Sequence, residues 1–195
     1  MVEQSAFSYI QLVNDKNPVV LSVPPMELVT APFSNGQELL EKETAQQLQA
    51  LVSFIKAEKK LIVTSGYRSR DEQQQLYNQC LAAHGQEYTN QYVARPERSE
   101  HQTGLAVDIG LANQKNDSIC PTFEGGETVS LFLESCGAFG FILRYPPHRQ
   151  DQTGIAYEPW HFRYVGCPHS QIIQQQDWVL EDYHEFLSKW RSAYG

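Results

Sequence analysis

No apolar run in the sequence approaches the roughly 18 residues that a membrane-spanning helix needs. The opening stretch, Met1 to Asn14, holds neither a basic segment nor a continuous apolar core. It does not read as a secretory signal, so the expectation is a cytoplasmic protein with no membrane anchor. Positive charge is scarce: 15 Lys and Arg stand against 23 Asp and Glu, a formal net charge of −8. No Lys/Arg run could build the basic face that a phosphate backbone requires, so nucleic acid is not an expected partner. Cysteine is sparse too, with 4 residues and no Cys-x-x-Cys pair. That excludes a disulfide scaffold and a zinc knuckle, and leaves free, buried thiols as the expectation. There is no internal repeat and no low-complexity tract.

What is present is an ordinary globular composition, 41% hydrophobic over 195 residues. That length fits one domain, residues 1–195. Residues 1–35 are turn-rich, with Asn17-Pro18, Pro24-Pro25 and Ala31-Pro32, and read as an extended cover in which Val19–Val23 is a candidate edge strand. A helix is expected from about Gln37 to Lys59, with Leu48, Leu51, Val52 and Ile55 forming one apolar stripe. Leu61-Ile62-Val63 reads as a buried strand ending at Ser65-Gly66. Ser69 and Glu72 fit a capping box, opening a helix that runs to about His84 and stops at Gly85, with Leu76, Cys80 and Leu81 inward. Glu87–Glu100 reads as a loop, Leu105–Ile109 as a strand and Asn113–Gly126 as a loop. A helix follows over about Glu127–Cys136, then a strand over Phe141–Tyr145 and a loop over Pro146–Gly154. A strand over Trp160–Val165 and helices near Ser170–Gln176 and Leu180–Trp190 complete the chain. Strands mixed with helices, without regular alternation, predict an α+β fold: a small, largely antiparallel sheet with helices packed around it.

Three polar segments lie beside strands. In the second, Asp108 ends the apolar run Leu105-Ala106-Val107, where a carboxylate must be solvated, paired or metal-bound. His101 precedes it across Gly104, which permits a tight bend. The pair is either half of a metal site or a hydrogen bond that caps a strand. In the third, strand alternation puts His161, Arg163 and Val165 on one face. Glu158 sits just before, re-aimed by Pro159. Two histidines and one carboxylate leave an open fourth position on Zn²⁺, the pattern of a catalytic site. A free glutamate beside it can act as general base. Taken singly, Glu158 is equally a surface carboxylate and His161 a strand histidine; the conjunction of the four carries the hypothesis. In the first segment, Arg68 follows a strand and precedes a capped helix. Its fork suits a substrate carboxylate or a developing oxyanion, or else a salt bridge at the helix terminus.

The set SGYRS, SEHQTGLAVDIG and EPWHFRYVG resembles the zinc D,D-carboxypeptidase family of VanY. Further stretches are similar to VanXY-type D,D-dipeptidase/D,D-carboxypeptidases in particular: Ser118 to Pro121, Gly140 to Pro146, Thr153 to Tyr157 and Gly166 to Ser170. The resemblance implies His101, Asp108 and His161 as ligands of one Zn²⁺ per chain at the sheet. It implies Glu158 as the catalytic base and Arg68 as a group that binds substrate or stabilises the transition state. It makes Gln73 and Ser99 candidate substrate contacts, with Tyr157 and Trp160 flanking the site. The implied substrate is a D-Ala-D-Ala terminus, as free dipeptide or on a cell-wall precursor peptide, and the implied setting is glycopeptide (vancomycin) resistance or cell-wall metabolism. The competing readings are an L,D-carboxypeptidase that trims tetrapeptides and a non-catalytic zinc or wall-peptide binding module. The sequence sets no oligomeric state.

Overall fold

A computed structural model describes residues 9–20, 27–117 and 119–194. The expected edge strand at Val19–Val23 and the turn at Pro24-Pro25 fall largely outside these residues. Ser118 also lies outside them.

The centre is a four-stranded antiparallel sheet built from β3 (Leu61–Ser65), β4 (Ala106–Leu111), β5 (Phe141–Leu143) and β6 (His161–Tyr164), in the order β3-β4-β6-β5. A separate antiparallel pair joins β1 (Leu28–Thr30) to β2 (Leu39–Glu41). The helices are α1 (Lys42–Phe54), α2 (Arg70–Tyr92), α3 (Gly126–Ser135), the short α4 (Gln150–Thr153), α5 (His169–Gln175) and α6 (Leu180–Tyr194). The architecture is the α+β arrangement expected. No helix among the described residues is long and apolar enough to cross a membrane.

Strand alternation divides the sheet into two chemically different faces. Leu61 and Val63 of β3, Val107 and Ile109 of β4, Phe141 of β5 and Phe162 and Tyr164 of β6 enter one apolar core. The core-facing residues of α1 (Leu48, Leu51, Val52) and of α3 (Val129, Phe132) close it from outside. Phe123, Phe132 and Phe162 meet edge to face at its centre, with centroids 4.7–5.6 Å apart. Each such side chain contributes about 1.5–3 kcal/mol of burial. The intervening residues Asp108, His161 and Arg163 take the opposite face. A second cluster ties Ile10 of the N-terminal segment to Ile142, Ile173, Leu180 and Tyr183.

Four expectations change. The helix expected from Gln37 begins at Lys42, because Leu39–Glu41 pair with Leu28–Thr30 and the Glu41 side chain accepts from the Thr44 N–H as cap. It also ends short of Lys59, at the C-cap Ile55. The helix expected to stop at Gly85 does break there (φ +80°, ψ 172°), but helical turns resume through Tyr92 where a loop was expected. Thr89 anchors that second stretch, its hydroxyl donating to the Gly85 carbonyl and lying 3.4 Å from Cys80 Sγ. The Pro146–Gly154 loop contains α4. All four cysteines are free, yet only Cys80 and Cys136 are buried; Cys120 is half-buried and Cys167 exposed.

Candidate active site

The sheet register assembles the centre of the site. Asp108 of β4 and His161 of β6 are direct cross-strand partners, so both side chains leave the same face side by side. On the other side of β4, Ser65 is the partner of Asp108, after an irregularity between Val63 and Ser65. The chain then turns at Gly66-Tyr67 into the Ser69 capping box of α2, which is fully formed. His101 arrives on a 3-10 turn, Glu100–Thr103, that ends at Gly104 in the left-handed region (φ +69°). That conformation is open to glycine and lets the turn re-enter β4 after two residues.

The donor atoms of His101, Asp108 and His161 lie within 4.8 Å of one another, and all three residues are buried. His101 Nε2 is 3.2 Å from Asp108 Oδ2, and His161 Nδ1 is 2.9 Å from Asp108 Oδ1. The second nitrogen of each ring is held from behind. His101 Nδ1 is 2.7 Å from the Gly66 carbonyl oxygen, which can only accept, so this nitrogen donates. His161 Nε2 is 3.3 Å from Glu100 Oε2. Each outer contact fixes a ring orientation and turns the remaining nitrogen toward Asp108, the arrangement that supports metal-bound histidines. Two imidazole nitrogens and one carboxylate oxygen converging with a position left over fit Zn²⁺ in a catalytic geometry.

Electrostatics make the same point. Burial works against the ionised Asp108 carboxylate, but His101 and His161 outweigh it and hold Asp108 far below the usual carboxylate range. Burial works against protonated His161 as well, yet its contacts with Asp108 and Glu100 lift it to about 10. A proton on His161 thus supplies the positive charge this carboxylate cluster demands, and a divalent ion meets the same demand. Glu158 lies 3.9 Å from His161 Nδ1 through Oε2 and is 5% exposed. Burial, opposed by His161 and reinforced by Asp108, pushes it up to about 8. A carboxyl group raised into the neutral range can both take and return a proton.

A cavity of about 40 Å³ opens over these groups. Arg68, Gln73, Ser99, Trp160 and Glu158 line it together with His101, Asp108 and His161. Arg68 is oriented by two hydrogen bonds, Nη1 to Gln73 Oε1 at 2.7 Å and Nη2 to Ser65 Oγ at 2.8 Å. Gln73 in turn donates to the Ala94 carbonyl at 2.6 Å. Tyr157 is the exception among the expected site residues: it is 44% exposed and does not line the cavity.

Sequence reasoning missed Glu100. It is buried, and through Oε1 it accepts from Arg144 Nε at 2.8 Å and Arg163 Nη1 at 2.7 Å. Burial alone would raise it, but Arg144 and Arg163 hold it well below the usual carboxylate range. Arg144 continues to Glu181 of α6, with Nη1 and Nη2 at 2.9 and 2.7 Å from its two oxygens. Arg163 continues to the carbonyls of Tyr9 and Gln11. Arg144 and Arg163, beside apolar strand residues, signal that a buried carboxylate is needed, but not which one. Tyr145 was also passed over; its ring lies 4.9 Å from His161 and lines the cavity.

Residues 37–167 match the VanY family model, described as D-alanyl-D-alanine carboxypeptidase. The chain is 46% identical over 181 residues to the bifunctional D-Ala-D-Ala dipeptidase and D-Ala-D-Ala carboxypeptidase VanXYC of Enterococcus gallinarum, covering 92% of this chain and 95% of that protein. Among solved structures it is similar to the vancomycin-resistance D,D-dipeptidase VanXYg bound to a D-Ala-D-Ala phosphinate analogue. There the TM-score is 0.85 at 38% identity, covering 91% of this chain and 70% of that one. It is also similar to a mutant of the D,D-pentapeptidase VanY from a VanB-type resistance cassette in complex with Zn(II). That match has a TM-score of 0.76 at 34% identity and covers 90% of this chain and 98% of the other.

Proposed function

The chain belongs to the VanY family of D-alanyl-D-alanine carboxypeptidases, and from that premise we propose that it hydrolyses D-Ala-D-Ala termini, both the free dipeptide and the end of a precursor peptide, in vancomycin resistance. The observation that carries the reading is the convergence of His101, Asp108 and His161, with Glu158 beside them and Arg68 in the same cavity. One zinc ion per chain is the proposed cofactor, supported by the donor set and by the zinc-bound relative. When bound, it supplies a Lewis acid for the scissile carbonyl and lowers the pKa of the attacking water.

The chain's own residues do the rest. Glu158 accepts a proton from the attacking water as that oxygen bonds to the carbonyl carbon of the penultimate residue. The C–N bond then breaks and Glu158 returns the proton to the departing amine, so one carboxyl group serves both steps. Arg68, held by Gln73 and Ser65, presents its fork to a carboxylate or to the charge that develops on the carbonyl oxygen. Ser99 and Trp160 shape the cavity wall. Residues 1–195 act as one peptidase domain, with the N-terminal segment clipped on by Arg163. The proposed compartment is the cytoplasm, a placement that the four free cysteines support.

The test is amino-acid release by zinc-loaded protein from three substrates: D-Ala-D-Ala, a pentapeptide ending in D-Ala-D-Ala, and a tetrapeptide ending in L-Lys-D-Ala. Release from the first two is expected. Release from the tetrapeptide alone would move the protein to wall trimming.

A further inference from the structure

Beside the catalytic cavity lies a second one of about 260 Å³, and the two share a wall of Val93, Ala94, Tyr145 and Ile155. The second cavity is the larger of the two and adjoins the first across that wall. Its charged lining is Arg95, Arg98 and the exposed Asp15, which gives an excess of one positive charge. The protein as a whole is at −8, so this local sign is contrary to the molecule's.

Arg98 is the unusual group. Its backbone N–H bonds to the Arg95 carbonyl, but its guanidinium has no hydrogen bond or ion pair among the described residues. Its Nη1 is also cut off from solvent. Arg98 as a whole is half-buried, but a shielded donor without a partner costs stability, more so when charged, so an anion that completes it is favoured. By contrast, Arg68, Arg144 and Arg163 are each fixed by two or more side-chain bonds. Arg98 immediately precedes Ser99, which lines the catalytic cavity, so consecutive residues serve the two cavities.

We propose that this second cavity is an anion subsite in which Arg98, assisted by Arg95, binds a free carboxylate carried by a longer peptide substrate upstream of the scissile bond. The inference rests on the proposed peptidase function and deepens it. A dipeptide has no upstream residue and cannot use the subsite, whereas a peptide with a γ-linked D-glutamate carries such a carboxylate on its α-carbon. A planar guanidinium matches that carboxylate in two parallel bonds.

The experiment compares wild type with R98M, R98K and R95A on four substrates. These are D-Ala-D-Ala, diacetyl-L-Lys-D-Ala-D-Ala, L-Ala-γ-D-Glu-L-Lys-D-Ala-D-Ala, and the same pentapeptide with the D-glutamate α-carboxylate amidated. In R98M the ratio of kcat/KM for the acidic pentapeptide to that for the dipeptide falls about tenfold, through KM, as expected for one lost charge-assisted contact. The amidated peptide shows no such fall, R98K retains part of the ratio, and R95A shows a smaller loss of the same pattern. R98M keeps or raises the thermal midpoint, because no protein hydrogen bond is removed. Equal losses on all four substrates, or an unchanged ratio, would overturn the subsite. Wild type inert on all four would instead remove the proposed function. The subsite is then read by calorimetry with the tripeptide L-Ala-γ-D-Glu-L-Lys: R98M weakens its binding about tenfold if the carboxylate seats there, and leaves it unchanged if it does not.

Discussion

Replacing Glu158 by Gln separates the stability of the site from its chemistry. The Glu158 carboxyl is raised from an ordinary 4.5 to about 8, first by burial and then by Asp108 and Glu100, against the pull of His161 and Arg68. The unfolded chain sheds this proton near 4.5, while the folded protein keeps it until about 8. Folding between those values takes up a proton. The contribution is therefore fully present below pH 4.5 and is lost as pH rises through about 8. His161 holds its own proton up to about 10, so it stays charged across this window while Glu158 titrates. At about 1.36 kcal/mol per unit, burying this carboxyl costs roughly 3 kcal/mol at pH 7. Gln keeps the shape and cannot ionise. Metal-free E158Q should therefore melt ~6–12 °C above metal-free wild type at pH 7. The two should coincide near pH 4.5, and the gap should shrink in zinc-loaded protein, where a neighbouring cation favours the carboxylate. Scanning calorimetry in the presence of a chelator reads this directly. A midpoint difference that is the same at pH 4.5 and pH 8 would refute the reasoning.

Glu100→Ala should be among the most destabilising single changes, by about 3–5 kcal/mol, because Arg144 and Arg163 lose a shared buried partner. The same variant should weaken zinc binding by about 10–100-fold, since His161 loses the group behind Nε2. Denaturant melts and chelator competition measure the two effects separately. Gly66→Ala should destabilise the metal-free protein, because a Cβ there runs into the Leu39 carbonyl oxygen. It should also loosen zinc, because the Gly66 carbonyl orients His101, and a normal melt with normal zinc affinity would contradict this.

The site was legible because its chemistry sits in short local patterns. Singly, Glu158 and His161 read as a surface carboxylate and a strand histidine; the conjunction of His101, Asp108, Glu158 and His161 was what pointed to a site, and the Ser69 capping box announced the turn that carries Arg68. What brings them together was not legible. The pairing of Asp108 with His161 is a register between strands far apart in the chain, and periodicity within one strand carries no information about its neighbour. Glu100 was hidden for the same reason, as its partners lie 44 and 63 residues away. The start of α1 misled because nothing within residues 37–41 announces a strand, while tertiary pairing with β1 claims Leu39–Glu41 as one. Residues 87–92 are polar enough to suggest a loop, yet Thr89 and Cys80 dock them as helix.

The most direct test of the account is turnover of D-Ala-D-Ala by wild type and E158Q, each loaded with zinc, with bound metal counted in the same samples. The account predicts one zinc per chain in both proteins and D-alanine release by wild type only, with the variant down by about 10²-fold or more as expected for a lost general base. Undiminished release by E158Q, or a zinc-loaded wild type that leaves D-Ala-D-Ala intact, would contradict it.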